Sequence, residues 1–332
     1  LSIEDMIAEE EMVLTITHNG YIKRTSLSTY RSQRRGGRGV QGASSREEDF
    51  VEHLFVANTH SYILFFTDKG KCYWVKVYDI PEGGRAAKGR AIVNLIGCEP
   101  DEKVSAFISV KEFHEDHFVV MATEKGIVKK TKLSAYSNPR KKGIYAVEIR
   151  DGDKLIEARV STGDNDILLG TRNGKSIRFS EEQIRASGRK TMGVKGITLS
   201  SDDDRLVGML LIKREGTVLV ATEKGFGKRT EISQYRAQKR GGKGVLTMKT
   251  TEKVGKMVTI KEVVEKDDLM IITNQGVLIR LPVAQIRSIG RATQGVKLIK
   301  LGEGTLVSSI TRIMSEEEQD EDNNSEPSSD KE

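Results

Sequence analysis

Two cysteines and five histidines among 332 residues, and no apolar run of membrane-spanning length, remove several classes of function at once. Cys72 and Cys98 form no Cys-x-x-Cys pair; with no secretory leader they are expected to be reduced thiols in a cytosolic protein. The short apolar runs imply no membrane association. His114 and His117 flank Glu115-Asp116 but have no further ligand at suitable spacing, so no metal is expected. Gly37-Arg38-Gly39-Val40-Gln41-Gly42 spells the dinucleotide fingerprint, yet it opens no helix and belongs to no βαβ unit. A Walker lysine motif, a nucleophile elbow and a paired-acid constellation are all missing, so nothing points to catalysis and no cofactor is expected in this chain.

What the chain has in quantity is cations placed beside glycines. Met12 to Arg46 holds seven Lys or Arg and no acid, and within it Gln33-Arg34-Arg35-Gly36-Gly37-Arg38-Gly39 sets three guanidiniums around a glycine pair. Guanidinium forks match phosphate oxygens, while glycine lets backbone N–H groups approach the same anion and tolerates positive φ. Gln238-Lys239-Arg240-Gly241-Gly242-Lys243-Gly244 is a lysine-substituted copy. One such run is as readily a solvated loop; two at the same place in a repeat point to anion binding.

The repeat decides the architecture. Six times a short apolar run is followed by Thr, two residues and Gly: Thr17–Gly20, Thr67–Gly70, Thr123–Gly126, Thr171–Gly174, Thr222–Gly225 and Thr273–Gly276, 48 to 56 residues apart. Strand-forming runs such as Tyr62-Ile63-Leu64-Phe65-Phe66 flank these turns, and Asn19-Gly20 and Asn173-Gly174 are hairpin dipeptides. A second glycine follows 19 residues later in five repeats (Gly39, Gly89, Gly193, Gly244, Gly295) and 17 later in the third (Gly143). About fifty residues make one four-stranded blade, which predicts an all-β disc of six blades.

The repeats also alternate. Ten residues past each hairpin glycine stand Tyr30, Ile80, Tyr136, Ile184, Tyr235 and Ile286, expected to be core wedges between blades. Odd repeats carry Lys23-Arg24-Thr25, Lys129-Lys130-Thr131 and Lys228-Arg229-Thr230 where even repeats are more apolar (Tyr73-Trp74-Val75, Ile177-Arg178-Phe179, Ile279-Arg280-Leu281). Adjacent residues of a strand face opposite ways, so at least one cation of each pair is expected in solvent, as part of a charged rim.

The net charge of +6 hides an asymmetry. Residues 315–332 hold nine acids and one Lys, net −8, which leaves +14 on residues 1–314; setting aside the five acids of residues 1–11 leaves +19 on the repeats. Such an excess attracts polyanions. The acidic tail has no apolar anchor and is expected to be disordered.

The heptapeptide Gln33 to Gly39, in its six-blade setting, and the opening Ile3-Glu4-Asp5-Met6-Ile7-Ala8-Glu9-Glu10 resemble the C-terminal domain of the bacterial gyrase A family, over about Ile3 to Met314. The resemblance implies a six-bladed β-pinwheel whose blades exchange a strand with a neighbour and which wraps DNA around its rim with positive handedness. It implies residues 1–11 as a linker from an absent N-terminal catalytic part, 12–314 as the wrapping domain and 315–332 as the tail. Its partners would be double-stranded DNA, the N-terminal part of gyrase A, and gyrase B. The domain itself would be non-catalytic and monomeric, with ATP and Mg used by the rest of the topoisomerase in the bacterial cytoplasm. The copy at 238–244 departs from the signature at Lys239 and Lys243, so less of that role is carried over to it.

Bending DNA is costly, about 1–6 kcal/mol for 40–90° over 20–30 bp, so a long wrap needs contacts all along the bend. Beyond the two boxes, with Lys239, Arg240 and Lys243 in the second, candidate phosphate contacts are Lys23, Arg24, Lys129, Lys130, Arg140, Lys141, Lys142, Arg178, Arg189, Lys190, Lys228, Arg229, Arg280 and Arg291. Their spread over six repeats implies a path, with little sequence preference. Two alternatives remain: the equivalent domain of topoisomerase IV, which usually lacks an intact box, and a basic propeller that binds proteins through one flat face.

Overall fold

The computed structural model describes residues 2–27, 49, 51–84, 87–213 and 216–313. The heptapeptide 33–39, Tyr30 and the acidic tail 315–332 lie outside the described residues.

Each Thr-x-x-Gly unit is a tight hairpin for a local reason. The threonine carbonyl accepts from the glycine N–H, its hydroxyl accepts from the next N–H, as in Tyr21 N–H to Thr17 Oγ1 at 3.1 Å, and the glycine takes φ between +75° and +89°, which L side chains avoid. The hairpins are β1 (Glu11–Thr17) with β2 (Tyr21–Ser26), β4 (Tyr62–Thr67) with β5 (Lys71–Lys76), β8 (Phe118–Thr123) with β9 (Ile127–Lys132), β12 (Asp166–Thr171) with β13 (Lys175–Ser180), β16 (Thr217–Thr222) with β17 (Phe226–Glu231), and β20 (Asp268–Thr273) with β21 (Leu278–Pro282). A longer strand pairs antiparallel with the first strand of each: β3 (Val51–Asn58), β7 (Val104–Val110), β11 (Leu155–Ser161), β15 (Leu206–Ile212), β19 (Met257–Val263) and β23 (Val307–Ile313).

The fourth strand comes from the next repeat. β6 (Arg90–Ala91), β10 (Ile144–Tyr145), β14 (Val194–Lys195), β18 (Val245–Leu246) and β22 (Val296–Lys297) each pair with the hairpin of the repeat before. Five sheets therefore have four strands and the sixth, β21-β20-β23, has three among the described residues. Among the described residues, the second glycine of repeats two to six admits this exchange. Gly244, at φ +76°, brings its backbone so near β13 that a Cβ would stand 2.3 Å from the Ser176 carbonyl oxygen.

The result is a six-bladed, nearly all-β propeller. The long strands meet around the centre, and the ring closes there through Thr311 Oγ1, 2.5 Å from Glu52 Oε1. Apolar clusters fill the gaps between consecutive blades. The wedges Ile80, Tyr136, Ile184, Tyr235 and Ile286 are buried in them, as their spacing implied.

Candidate nucleic-acid interface

The exchanged strands form the outer edge of the disc, and the loops that lead into them carry the cation-rich segments. The adjacent cations of the odd hairpins do not join them. Lys129 and Lys228 are 1% and 0% exposed, Lys130 and Arg229 6% and 7%. The expectation that one of each pair faces solvent is therefore wrong for these two blades: both faces of a blade are covered by neighbouring blades, so alternation along a strand leads from one interface to another. Lys129 Nζ donates to the Ala146 and Arg189 carbonyls at 2.6 Å each. Lys228 Nζ donates to the carbonyls of Gly290 at 2.9 Å, of Thr293 at 3.0 Å and of Arg291. Lys23 Nζ, half-buried, donates to the Gly84 and Ala87 carbonyls at 2.9 Å. Burial, with Arg189 nearby, holds the Lys129 ammonium down at about 7, and burial with Arg291 holds Lys228 at about 8.

The next position along the same strand ties each blade to its successor. Arg24 Nε donates to the Ile80 carbonyl at 2.6 Å, Trp74 Nε1 to Tyr136 at 2.8 Å, Arg178 Nη1 to Tyr235 at 3.1 Å and Arg229 Nε to Ile286 at 2.8 Å. In four junctions one side chain thus grips the carbonyl of the following wedge. Lys130 reaches the carbonyl and carboxylate of buried Glu181 instead. Arg178 also pairs with Asp166 at 2.8 Å, and Arg280 with Asp268 at 2.7 Å.

Other candidates do reach solvent. Arg140, Lys141, Lys142, Lys190, Lys239, Lys243 and Arg280 are exposed, and Arg189 is half-buried. Arg240 and Arg291 divide their donors. In the second box Arg240 N–H and Nε bond Gln183 Oε1 and its carbonyl at 2.8 and 3.0 Å, and Nη1 bonds the Lys195 carbonyl at 2.7 Å. Arg291 repeats this one blade on, with Gln234 at 3.0 and 3.1 Å and the Leu246 carbonyl. Both therefore clamp the preceding blade through Nε and Nη1, with the remaining guanidinium donors outside that clamp. The first box, residues 33–39, lies outside the described residues.

Sequence reasoning missed exposed cations at two recurring places. Arg185, Arg236 and Arg287 stand directly after a buried wedge, and Lys195 and Lys297 end the exchanged strands β14 and β22. Ile184-Arg185, Tyr235-Arg236 and Ile286-Arg287 were a readable signal, since a buried residue followed by Arg in three consecutive repeats places each Arg on the same outward side. No helix among the described residues is long and apolar enough to cross a membrane.

The chain matches the family described as DNA gyrase C-terminal domain, beta-propeller, in six segments: 11–58, 61–111, 117–162, 165–213, 216–263 and 267–313. It is 47% identical over 321 residues to the gyrase A protein of Staphylococcus epidermidis (strain ATCC 12228 / FDA PCI 1200), covering 96% of this chain and 36% of that protein. For the gyrase A protein of Staphylococcus aureus (strain MRSA252) the identity is 47% over 331 residues, covering 99% and 37%. The chain thus spans little more than a third of the length of these relatives. Among solved structures, the C-terminal domain of DNA topoisomerase IV superposes with a TM-score of 0.82 at 25% identity, covering 94% of this chain and 95% of that one. A DNA gyrase A C-terminal domain superposes with a TM-score of 0.70 at 23% identity, covering 92% and 100%. With six repeats matched and the blade order in agreement, the chain belongs to the DNA gyrase C-terminal domain, beta-propeller, family.

Proposed function

We propose that this domain binds duplex DNA along its outer edge, without marked sequence preference, and bends it around the disc. The observation that carries the reading is the placement of exposed cations on the outer loops and exchanged strands of successive repeats: Arg140 to Lys142, Lys190 and Lys195, Lys239 and Lys243, and Lys297. Phosphate contacts of this kind position a duplex without reading its bases. The first box, outside the described residues, would add three guanidiniums by its resemblance to the family signature, and the second adds Lys239 and Lys243. In the whole protein the domain, residues 12–314, would follow an N-terminal catalytic part through residues 1–11 and act with gyrase B in the cytoplasm, presenting a positively handed wrap so that ATP-driven, Mg-dependent strand passage introduces negative supercoils. The catalytic chemistry belongs to those other parts.

A topoisomer-shift assay tests this. Closed circular DNA relaxed and religated with the domain bound gains positive writhe, and affinity falls with salt at about −0.9 log unit per log unit for each phosphate neutralised. An unshifted distribution with a near-zero salt slope sinks the reading. The likeness to a topoisomerase IV domain keeps a second reading in view, in which the parent enzyme decatenates. Replacing Arg34, Arg35 and Arg38 by Ala separates the two: supercoiling by the reconstituted enzyme is lost and decatenation kept if the first box belongs to a gyrase. The matching change at Lys239, Arg240 and Lys243 is the milder one.

A further inference from the structure

The first lysines of the odd hairpins do not extend onto a solvent-facing rim, yet each occupies one site in its repeat, three residues past the hairpin glycine. Each ammonium touches the loop of the following even repeat, just before that loop enters the exchanged strand, and Lys129 also holds the Ala146 carbonyl of its own repeat. Lys129 meets the Arg189 carbonyl in the loop 187–193, and Lys228 meets those of Gly290, Arg291 and Thr293 together with Thr293 Oγ1 at 3.1 Å. The threonine two positions on adds a second tie: Thr25 Oγ1 to the Gly83 carbonyl at 2.7 Å and Thr230 Oγ1 to that of Ile289 at 3.0 Å.

We propose that Lys23, Lys129 and Lys228 are positioning residues, each of which shapes the outer loop of the next even blade by fixing backbone carbonyls to one ammonium: two for Lys23, three for Lys228, and for Lys129 the Arg189 carbonyl, tied to Ala146 of its own blade. An ammonium has three donors and no acceptor, so it suits a ring of carbonyl oxygens and nothing apolar of its length does. Without it, the Arg189 and Arg291 carbonyls would lose their donor while those of Gly290 and Thr293 would keep only Thr293 Oγ1 and the Lys249 N–H, and the loop would open more readily. The loops so held carry Arg189, Lys190 and Arg291, whose charges would meet DNA; the inference rests on the DNA-edge reading in that last step only. The odd loops are supported otherwise. The loop 238–244 lies over Ile177, and Gly143 lies against the Tyr73 ring.

The test compares wild-type domain with Lys228→Met, which keeps the stem and removes the donors. Amide hydrogen exchange is followed in residues 289–298, with 238–244 as an internal control, and DNA bending is followed by end-to-end energy transfer. The variant is expected to exchange about ten-fold faster at the Ile289 and Leu298 amides, the equivalent of losing one such interaction, with the control unchanged. Its wrapped fraction falls several-fold while low-salt affinity stays within about two-fold, since other cations still attract DNA. Unchanged exchange overturns the proposal, and so does a loosened loop with unchanged bending. If the wild type itself fails to bend DNA, the DNA-edge reading fails and the exchange result still decides whether the lysine shapes the loop. Should Lys228→Met not fold, ¹⁵N spectra of the wild-type lysine ammonium groups decide the same point. Slowly exchanging Nζ protons on Lys129 and Lys228 support it, and protons exchanging as fast as those of surface Lys141 overturn it.

Discussion

The junctions that run from an odd blade to an even one differ from those that run from even to odd, although the same hairpin stands on both sides of each. In the first kind a lysine ammonium meets the outer loop of the next blade: Lys23 at Gly84 and Ala87, Lys129 at Arg189, Lys228 at Gly290, Arg291 and Thr293. In the second an uncharged side chain lies against that loop: Tyr73 against Gly143, Ile177 against Gly242. Lys129, Lys228, Tyr73 and Ile177 are deeply buried and Lys23 is half-buried, and the hydroxyls of the tyrosine wedges find partners, Tyr136 at the Ala146 carbonyl, 3.3 Å, and Tyr235 at Thr247 Oγ1, 2.5 Å. The alternation of lysine with Tyr73 and Ile177 thus changes what supports the outer loop of the next blade, an ammonium bonded to its carbonyls in one kind and an uncharged side chain in the other. The difference teaches that charge in a repeat protein need not mark its ligand surface. A buried cation here serves the loop above it, and only the loops themselves face outward.

The comparison breaks most readily at the wedges. Tyr136→Ala and Tyr235→Ala are expected to cost about 3–5 kcal/mol each, and Ile184→Ala and Ile286→Ala to fall nearer the low end of about 2–5 kcal/mol, because a larger side chain leaves a larger cavity. Urea unfolding measures both sets; equal losses would show that the two junctions are energetically alike. A smaller effect comes from pH. An unfolded lysine titrates near 10.4, whereas Lys129 and Lys228 titrate at about 7 and 8 in the fold. Between those values the unfolded chain holds protons that the native state has released, so stability rises with pH, by up to about 1.4 kcal/mol per unit for each lysine. The rise ends above about pH 10, where unfolded tyrosines ionise first because burial raises Tyr235 to about 12. Urea midpoints from pH 7 to 10 check this, and Lys129→Met with Lys228→Met should flatten the profile. A flat wild-type profile would remove the linkage.

The smallest effect sharpens the comparison at the outer edge. Lys239→Ala and Lys243→Ala, in an odd loop, should each lower the salt slope of DNA binding by about 0.9. Arg291→Ala, in an even loop, should lower it less and reduce stability instead, since its guanidinium is engaged by Gln234 and the Leu246 carbonyl. Titrations at several salt concentrations, read beside melting curves, distinguish the two patterns.

Much of this was legible because it is local. Thr-x-x-Gly announces a hairpin through bonds made within five residues, and ten residues on, a recurring Tyr or Ile announces a wedge. The second glycine was visible as a repeat but not as a crossing, since its reason is the Ser176 carbonyl of another blade. The cationic pairs were misread for a related cause. In a sheet with one wet face, adjacent residues divide between core and solvent, but Lys129 and Lys130 sit in a blade covered on both sides. The clamp that Arg240 makes was not legible, because nothing in its own heptapeptide reveals Gln183, 57 residues earlier.

The sequence by itself determined the number of blades, the hairpin at the heart of each and the alternation of the repeats, because these depend on spacing and on glycine at positive φ. Only the tertiary structure decided which cations remain free. Whether an ammonium or guanidinium reaches water depends on what the next blade lays across it, and that partner lies some fifty or sixty residues along the chain: the Ile286 carbonyl for Arg229 at a separation of 57, the Gly290 carbonyl for Lys228 at 62.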